Sequence, residues 1–214
     1  ISMTGKIKLV HSGGNAVSLA VPTSNPSSSE VELKLPQSDG SADTFLKTDG
    51  SGNLSFAAVG GITMADQWRV TSDFNVTSFA FITSNWERND STGYGKIGTG
   101  MSESSGEFSF PSTGIYLVRI VISWYASGGG VNYNRVSIQT TTDNSTYASR
   151  AFSWSGVESS SQYNNMTAEI LFDVTDVSTH KVKFQMGASN TRPIVKGGTD
   201  DNRSYATFIR LGDT

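Results

Sequence analysis

The 214-residue sequence contains no cysteine. That excludes a disulfide-stapled fold and any thiolate-ligated zinc or iron–sulfur site. Charge is scarce as well: Asp, Glu, Lys and Arg make up 16% of the chain, against about a quarter in ordinary soluble domains. A net charge of −3 offers no basic surface of the kind that grips a nucleic-acid backbone, so no nucleic-acid partner is expected. No run of about 18 apolar residues is present, so membrane insertion is not expected. No charged stretch followed by an apolar one opens the residues from Ile1 onward, so a secretory signal is not expected within them. What the chain has instead is 33 Ser, 22 Thr, 22 Gly and 22 aromatic residues, four of them Trp. Strong helix formers are few. Hydroxyl, β-branched and aromatic residues with frequent turn formers point to an all-β protein of many short strands.

The pattern changes near residue 60. Before it lie short alternating segments at 6–10, 16–21 and 31–35, and a hairpin in which 45–47 and 54–56 flank Thr48-Asp49-Gly50-Ser51-Gly52-Asn53. These strands are too few to enclose a core, and a lone hairpin is marginal in water. Residues 1–60 are therefore expected to lean on the rest of the chain or on further copies of it. Residues 61–214 carry ten candidate strands, at 67–71, 78–82, 106–110, 115–125, 132–140, 149–154, 166–174, 180–186, 194–196 and 205–211. Their spacing is that of a sandwich or barrel. In 115–125, Tyr116, Val118, Ile120, Ile122 and Trp124 share one face. The other face carries Leu117, Arg119, Val121 and Ser123. Apolar residues on both sides predict a central strand with the core on one face and a subunit interface on the other.

Two motifs resemble known families. The segment from Leu35-Pro36 through Asp39-Gly40, Phe45-Leu46 and Thr48-Asp49-Gly50-Ser51-Gly52 to Leu54-Ser55-Phe56 resembles one that recurs in bacteriophage fibre and other virion-appendage proteins. Asp43-Thr44 departs from the Gly-Gln or Gly-Tyr often found there. The segment Gly106-Glu107-Phe108-Ser109-Phe110-Pro111-Ser112-Thr113-Gly114-Ile115-Tyr116 resembles the Gly-x-Phe-x-x-Pro-x-x-Gly-x-Tyr signature of C1q and tumour-necrosis-factor-like jelly rolls. The closing Tyr205–Gly212 strand is similar to that family's last strand, while Thr175 stands where the family often has Gly. The resemblance implies a ten-strand C1q/TNF-like jelly-roll sandwich that assembles as a homotrimer. Together the motifs imply two regions. Residues 1–60 would form short β-strands of a trimeric stem that docks to other virion proteins, and 61–214 an exposed knob. The function so implied is structural: a head fibre, capsid decoration or short tail fibre on a phage virion, displaying a knob that contacts host-surface or environmental glycans. The alternatives are a polysaccharide-degrading tailspike and a cellular C1q-like adhesin.

Chemistry in the sequence is thin, and no catalytic residue, metal site or cofactor is assigned. His11 and His180 are read as turn residues, and no Gly-x-Ser-x-Gly elbow accompanies them. Asp173, Asp176 and the Asp200-Asp201 pair could supply carboxylates for glycan hydrolysis, and Asp200, Asp201 and Asn202 oxygen ligands for Ca²⁺. Turn formation is the favoured reading of all of them. Ser127-Gly128-Gly129-Gly130 lacks the Lys-Ser/Thr of a phosphate loop. For recognition, Trp86, Tyr94, Tyr133, Trp154 and Tyr163 are aromatics in or beside expected loops with hydroxyl and amide neighbours. Trp154 and Tyr163, on either side of the polar stretch Ser155–Ser161, are the chosen glycan or receptor contacts.

Overall fold

The computed structural model describes residues 6–20, 22–24, 26–27, 30–58 and 60–214. Among them are seventeen strands and no helix. The chain divides into two compact units, Ile1–Gly60 and Gly61–Thr214.

The first unit contains two hairpins. β1 (Lys6–Val10) pairs with β2 (Ala16–Ala20), placing Ile7 opposite Leu19 and Leu9 opposite Val17. Alternation puts these four apolar side chains on one face, where they remain 50–72% exposed. β3 (Thr44–Thr48) pairs with β4 (Leu54–Ala58). The Asp49 carboxylate closes their turn by accepting from the Ser51 and Asn53 amides at 2.8 and 3.1 Å. The strand expected at 31–35 is not formed. Only Lys34 is bridged, to Asn53, and Val31, Leu33 and Leu35 are exposed. Alternation supplies a face, but a strand also needs a neighbour, and the described residues provide none along 31–33. Val21, the expected end of the second strand, lies outside the described residues.

The second unit is a sandwich of two antiparallel sheets. Across the first run β14 (Tyr163–Val174), β11 (Gly114–Ala126), β17 (Tyr205–Gly212), β5 (Met64–Val70) and β8 (Trp86–Arg88). β16 (Pro193–Val195) and β6 (Phe74–Asn75) extend it beside the far end of β11. The second sheet has the order β13 (Ala148–Val157), β12 (Val131–Thr141), β15 (Lys181–Ala188), β10 (Glu107–Ser109) and β9 (Ser102–Ser104), with β7 (Ala80–Phe81) also on β15. The chain changes sheet from β11 to β12 and again from β13 to β14, which is the crossing that makes a jelly roll.

The expected two-faced strand is β11. Tyr116, Val118, Ile120, Ile122 and Trp124 are fully buried. They belong to one core with Val136, Ile138, Val182 and Phe184 of the other sheet. The Trp124 indole N–H donates to Ser155 Oγ at 2.8 Å, so the largest core side chain leaves no orphan donor. Phe108 sits at the aromatic centre, 5.1–5.6 Å from the rings of Trp68, Trp86, Phe184 and Phe208.

The jelly-roll signature has a physical basis here. Gly106 and Gly114 have φ of 79° and 140°. A Cβ on them would lie 2.1 Å from Ile82 O and 2.5 Å from Gly212 O, so neither tolerates a side chain. Tyr116 closes the motif by donating its hydroxyl to Ser112 O at 2.9 Å. Each of the ten expected strands overlaps an observed one. β6, β8 and β9 were not expected: at two or three residues they carry no periodicity to detect.

The outward face of the first sheet carries an apolar row. Strand pairing aligns Leu171, Leu117, Ile209, Ala65 and Ile97 across β14, β11, β17, β5 and the bridge at Ile97. Leu171 is 66% and Ile97 48% exposed. Beside it, Glu169, Arg119, Thr207 and Gln67 align as a polar row.

Candidate functional site

The second sheet turns a mixed aromatic and cationic face outward. Val136 and Ile138 of β12 point into the core, so Arg135, Ser137 and Gln139 point away from it. Ser155 of β13 is fixed inward by Trp124, which sets Trp154 and Phe152 outward. Trp154 lies opposite Arg135 and Phe152 opposite Ser137. Trp154 packs on Tyr133 with ring centroids 5.0 Å apart and on Phe152 at 5.9 Å. Phe79, just before β7, completes the group. Its ring rests on Gly187, where a Cβ would come within 2.4 Å of it.

Arg135 lies among these rings. Its guanidinium carbon is 4.7 Å from the Phe152 centroid, 5.7 Å from that of Phe79 and 5.8 Å from that of Trp154. One terminal nitrogen donates to Ser149 Oγ at 3.0 Å. Its buried Nε has no partner, and among the described residues no carboxylate pairs with it. Phe79, Phe152 and Trp154 are each about half exposed, at 49%, 56% and 52%.

A second cation on the same face is neutralised. Lys183 Nζ lies 3.1 Å from Glu107 and 4.5 Å from the Tyr147 ring centroid. The Tyr147 hydroxyl donates to Glu107 at 2.7 Å. Burial works against the Glu107 carboxylate, but the Tyr147 and Lys183 hydrogen bonds prevail and hold its pKa below the ordinary value. Burial, reinforced by Glu107, pushes the Tyr147 phenol well above its usual range.

Trp154 and Tyr163 do not form one site. Tyr163 begins β14 in the first sheet and stacks on Tyr125, with centroids 5.3 Å apart and planes at 30°. Buried Trp124 points inward beside it, so the Tyr125–Tyr163 pair faces out of the first sheet, away from Trp154. Of the stretch Ser155–Ser161, residues 155–157 continue β13. The following turn is held by Gln162, which accepts from the Glu158 and Ser159 amides. Trp86 belongs to the core margin, donating to Ile82 O and packing on Phe108 and Phe184.

His11, His180, Asp176, Asp201 and Asn202 have structural partners. His11 accepts from the Gly13 amide at 3.0 Å in an exposed turn. His180, expected at a surface turn, is buried. Its two ring nitrogens contact the hydroxyls of Thr175 and Thr179 at 3.3 and 3.0 Å, and its ring packs on Phe172. Asp176 caps its own turn through Ser178, whose hydroxyl and amide lower the carboxyl pKa. Asp173 is exposed on β14 opposite Ile115. Asp201 pairs with Arg203 at 2.9 Å, and Asn202 donates to Gln67 at 3.2 Å.

Arg135, Phe79 and Phe152 were absent from the candidates read from the sequence. Phe152 and Trp154 share a strand face at positions i and i+2, a legible signal once 149–154 is taken as a strand. Arg135 has the same signal from β12, whereas Phe79 reaches the patch only through its long-range seat on Gly187.

No protein-family model and no curated protein sequence matches this chain. Solved structures resemble it in fold. Eiger TNF from S. frugiperda superposes with a TM-score of 0.56 at 13% identity, covering 72% of this chain and 96% of that one. Murine APRIL at pH 5.0 gives 0.49 at 11% identity, covering 69% and 98%. Two antiparallel sheets, a signature built on Gly106, Gly114 and Tyr116, and the likeness to Eiger TNF establish a TNF-like jelly roll.

Proposed function

We propose that the chain is a non-enzymatic structural protein that assembles as a homotrimer on a bacteriophage virion, as a head fibre, capsid decoration or short tail fibre. The observation that carries the assembly is the apolar row Leu171–Leu117–Ile209–Ala65–Ile97 on the outward face of the first sheet. An apolar stripe spanning a sheet is the mark of an interaction surface, and a repeat of the same surface around a closed symmetry axis covers it. The exposed apolar face of the β1–β2 hairpin supports the same reading for residues 1–60, which form the stem or dock to other virion proteins. The resemblance of Leu35–Phe56 to virion-appendage segments supports the placement on a phage particle. In this reading residues 61–214 are the exposed knob, and Trp154 is a glycan contact. Tyr163 is retained as a contact separate from Trp154, at the opposite end of the β11–β14 pair from Leu117 and Leu171 of the apolar row.

Light scattering coupled to size exclusion tests the assembly. The expected result is three times the 22.9 kDa chain mass. A well-behaved monomer at micromolar concentration contradicts it. Incubation with host polysaccharide followed by a reducing-end assay tests the absence of enzymatic activity, with no release of reducing ends expected.

A further inference from the structure

We infer that the outward face of the second sheet binds an acidic saccharide, with the carboxylate of a uronate-type sugar on Arg135 and adjoining sugar rings stacked on Trp154 and Phe152. The inference rests on the reading of residues 61–214 as a glycan-contacting knob and names the ligand class and the site.

Three observations carry it. The first is charge. Arg135, Lys181 and Lys183 alternate with core residues and so share this face, where Lys183 already engages the carboxylate of Glu107. The chain is net negative, yet this face is positive, and among the described residues Arg135 is left without an anion. A guanidinium matches a carboxylate in shape and charge.

The second is the aromatic surface. Phe79, Phe152 and Trp154 are large, half exposed and gathered around that guanidinium. A solvent-facing cluster of this kind is costly unless something covers it. Flat rings beside hydroxyl and amide groups suit a ligand that offers C–H faces and hydroxyls together, and Ser149 and Gln185 supply those polar neighbours. The third is position. The patch lies on the outward face of β12 and the outer strand β13, so an extended peptide pairing through its backbone along the β13 edge would not cover it. It also faces away from the apolar row of the first sheet, so the proposed trimer leaves it open.

The test is calorimetric titration of the full chain with an alginate hexasaccharide, which carries a uronate in every unit, and with neutral cellohexaose, at about 0.15 M salt. The wild-type chain is expected to bind alginate more tightly than cellohexaose. Arg135→Gln is expected to weaken alginate binding at least about tenfold, the scale of a charge-assisted contact, with little effect on cellohexaose. Trp154→Ala, with its urea midpoint measured to confirm that the variant is folded, is expected to weaken both. Raising salt to about 0.5 M should reduce alginate binding without abolishing it, because stacking is not screened. Three results would overturn the inference: no preference for alginate, affinity unchanged in both variants, or equal binding of a polyglutamate peptide. Binding of neutral saccharide or host envelopes with indifference to Arg135 would remove this site and ligand class yet keep the glycan-contacting knob. Binding of no saccharide and no host envelope would remove both. The mass measured on the same samples judges the trimer independently.

Discussion

Replacing Leu171 by Asp tests the proposed interface at its most exposed apolar point. Leu171 is 66% exposed in the single chain and lies at the β14 end of the row it forms with Leu117 and Ile209. Fully burying a leucine side chain contributes about 1.5–3 kcal/mol, so covering two thirds of one contributes about 1–2 kcal/mol per copy. Three copies in a closed trimer contribute about 3–6 kcal/mol, and the introduced carboxylate adds a desolvation cost if the face is buried. The trimer should therefore dissociate at least about a hundredfold more readily. The fold should be nearly untouched, because an exposed substitution away from caps and cores usually changes stability by less than about 0.5 kcal/mol. Sedimentation over a concentration series reads the first effect and urea unfolding of the dissociated chain the second. Phe152→Asp, on the opposite sheet, serves as the control and should leave assembly unchanged. The reasoning is refuted if Leu171→Asp stays trimeric at the lowest concentrations, or if both substitutions dissociate the trimer equally.

Other expectations concern the fold itself. Phe108→Ala empties the centre of the aromatic cluster and should cost about 3–5 kcal/mol, read as a lower urea midpoint with an unchanged slope. Gly114→Ala places a methyl against a backbone carbonyl at a φ of 140°; a loss of about 2 kcal/mol or more is expected, and wild-type stability would refute the account of the signature. The Glu107 pKa is held below its ordinary 4.5 in the folded chain, so its contribution is present above the unfolded value and lost as pH falls through the folded one. Glu107→Gln should therefore lower the urea midpoint at neutral pH and converge with wild type on acidification. An equal gap at pH 7 and at about pH 3 would contradict the linkage.

The long strands were legible because burial on one or both faces leaves a period of two. In β11 the alternation of Tyr116 to Trp124 with Leu117 to Ser123 gave both faces and the expectation of an interface on one. The signature glycines were legible for a steric reason, since Gly106 and Gly114 lie against backbone carbonyls that no side chain could accommodate. The segment 31–35 shows the limit of that logic, because alternation reports a face and says nothing about the neighbour that must pair with it. The burial of His180 was hidden by its polar turn, where the packing of Phe172 from another strand decides exposure. The candidate site was legible only in part. Trp154 stood out as an aromatic among hydroxyls, but its link to Tyr163 came from closeness in sequence, and the sheet change between β13 and β14 sends the two residues to opposite faces. The grouping of Phe79, Arg135 and Phe152 around Trp154 depends on pairing among β12, β13 and β15 and on the bare Gly187, which no local pattern announces.

The most direct measurement of the proposed phage role is immunogold electron microscopy of virus particles purified from a culture that expresses the gene from its native locus, using antibody raised against residues 61–214, with particles lacking the gene as reference. The account predicts gold on the surface of intact wild-type particles, at the head or tail, and none on the deletion particles. Unlabelled wild-type virions, with the protein recovered only from the infected cells, would contradict it.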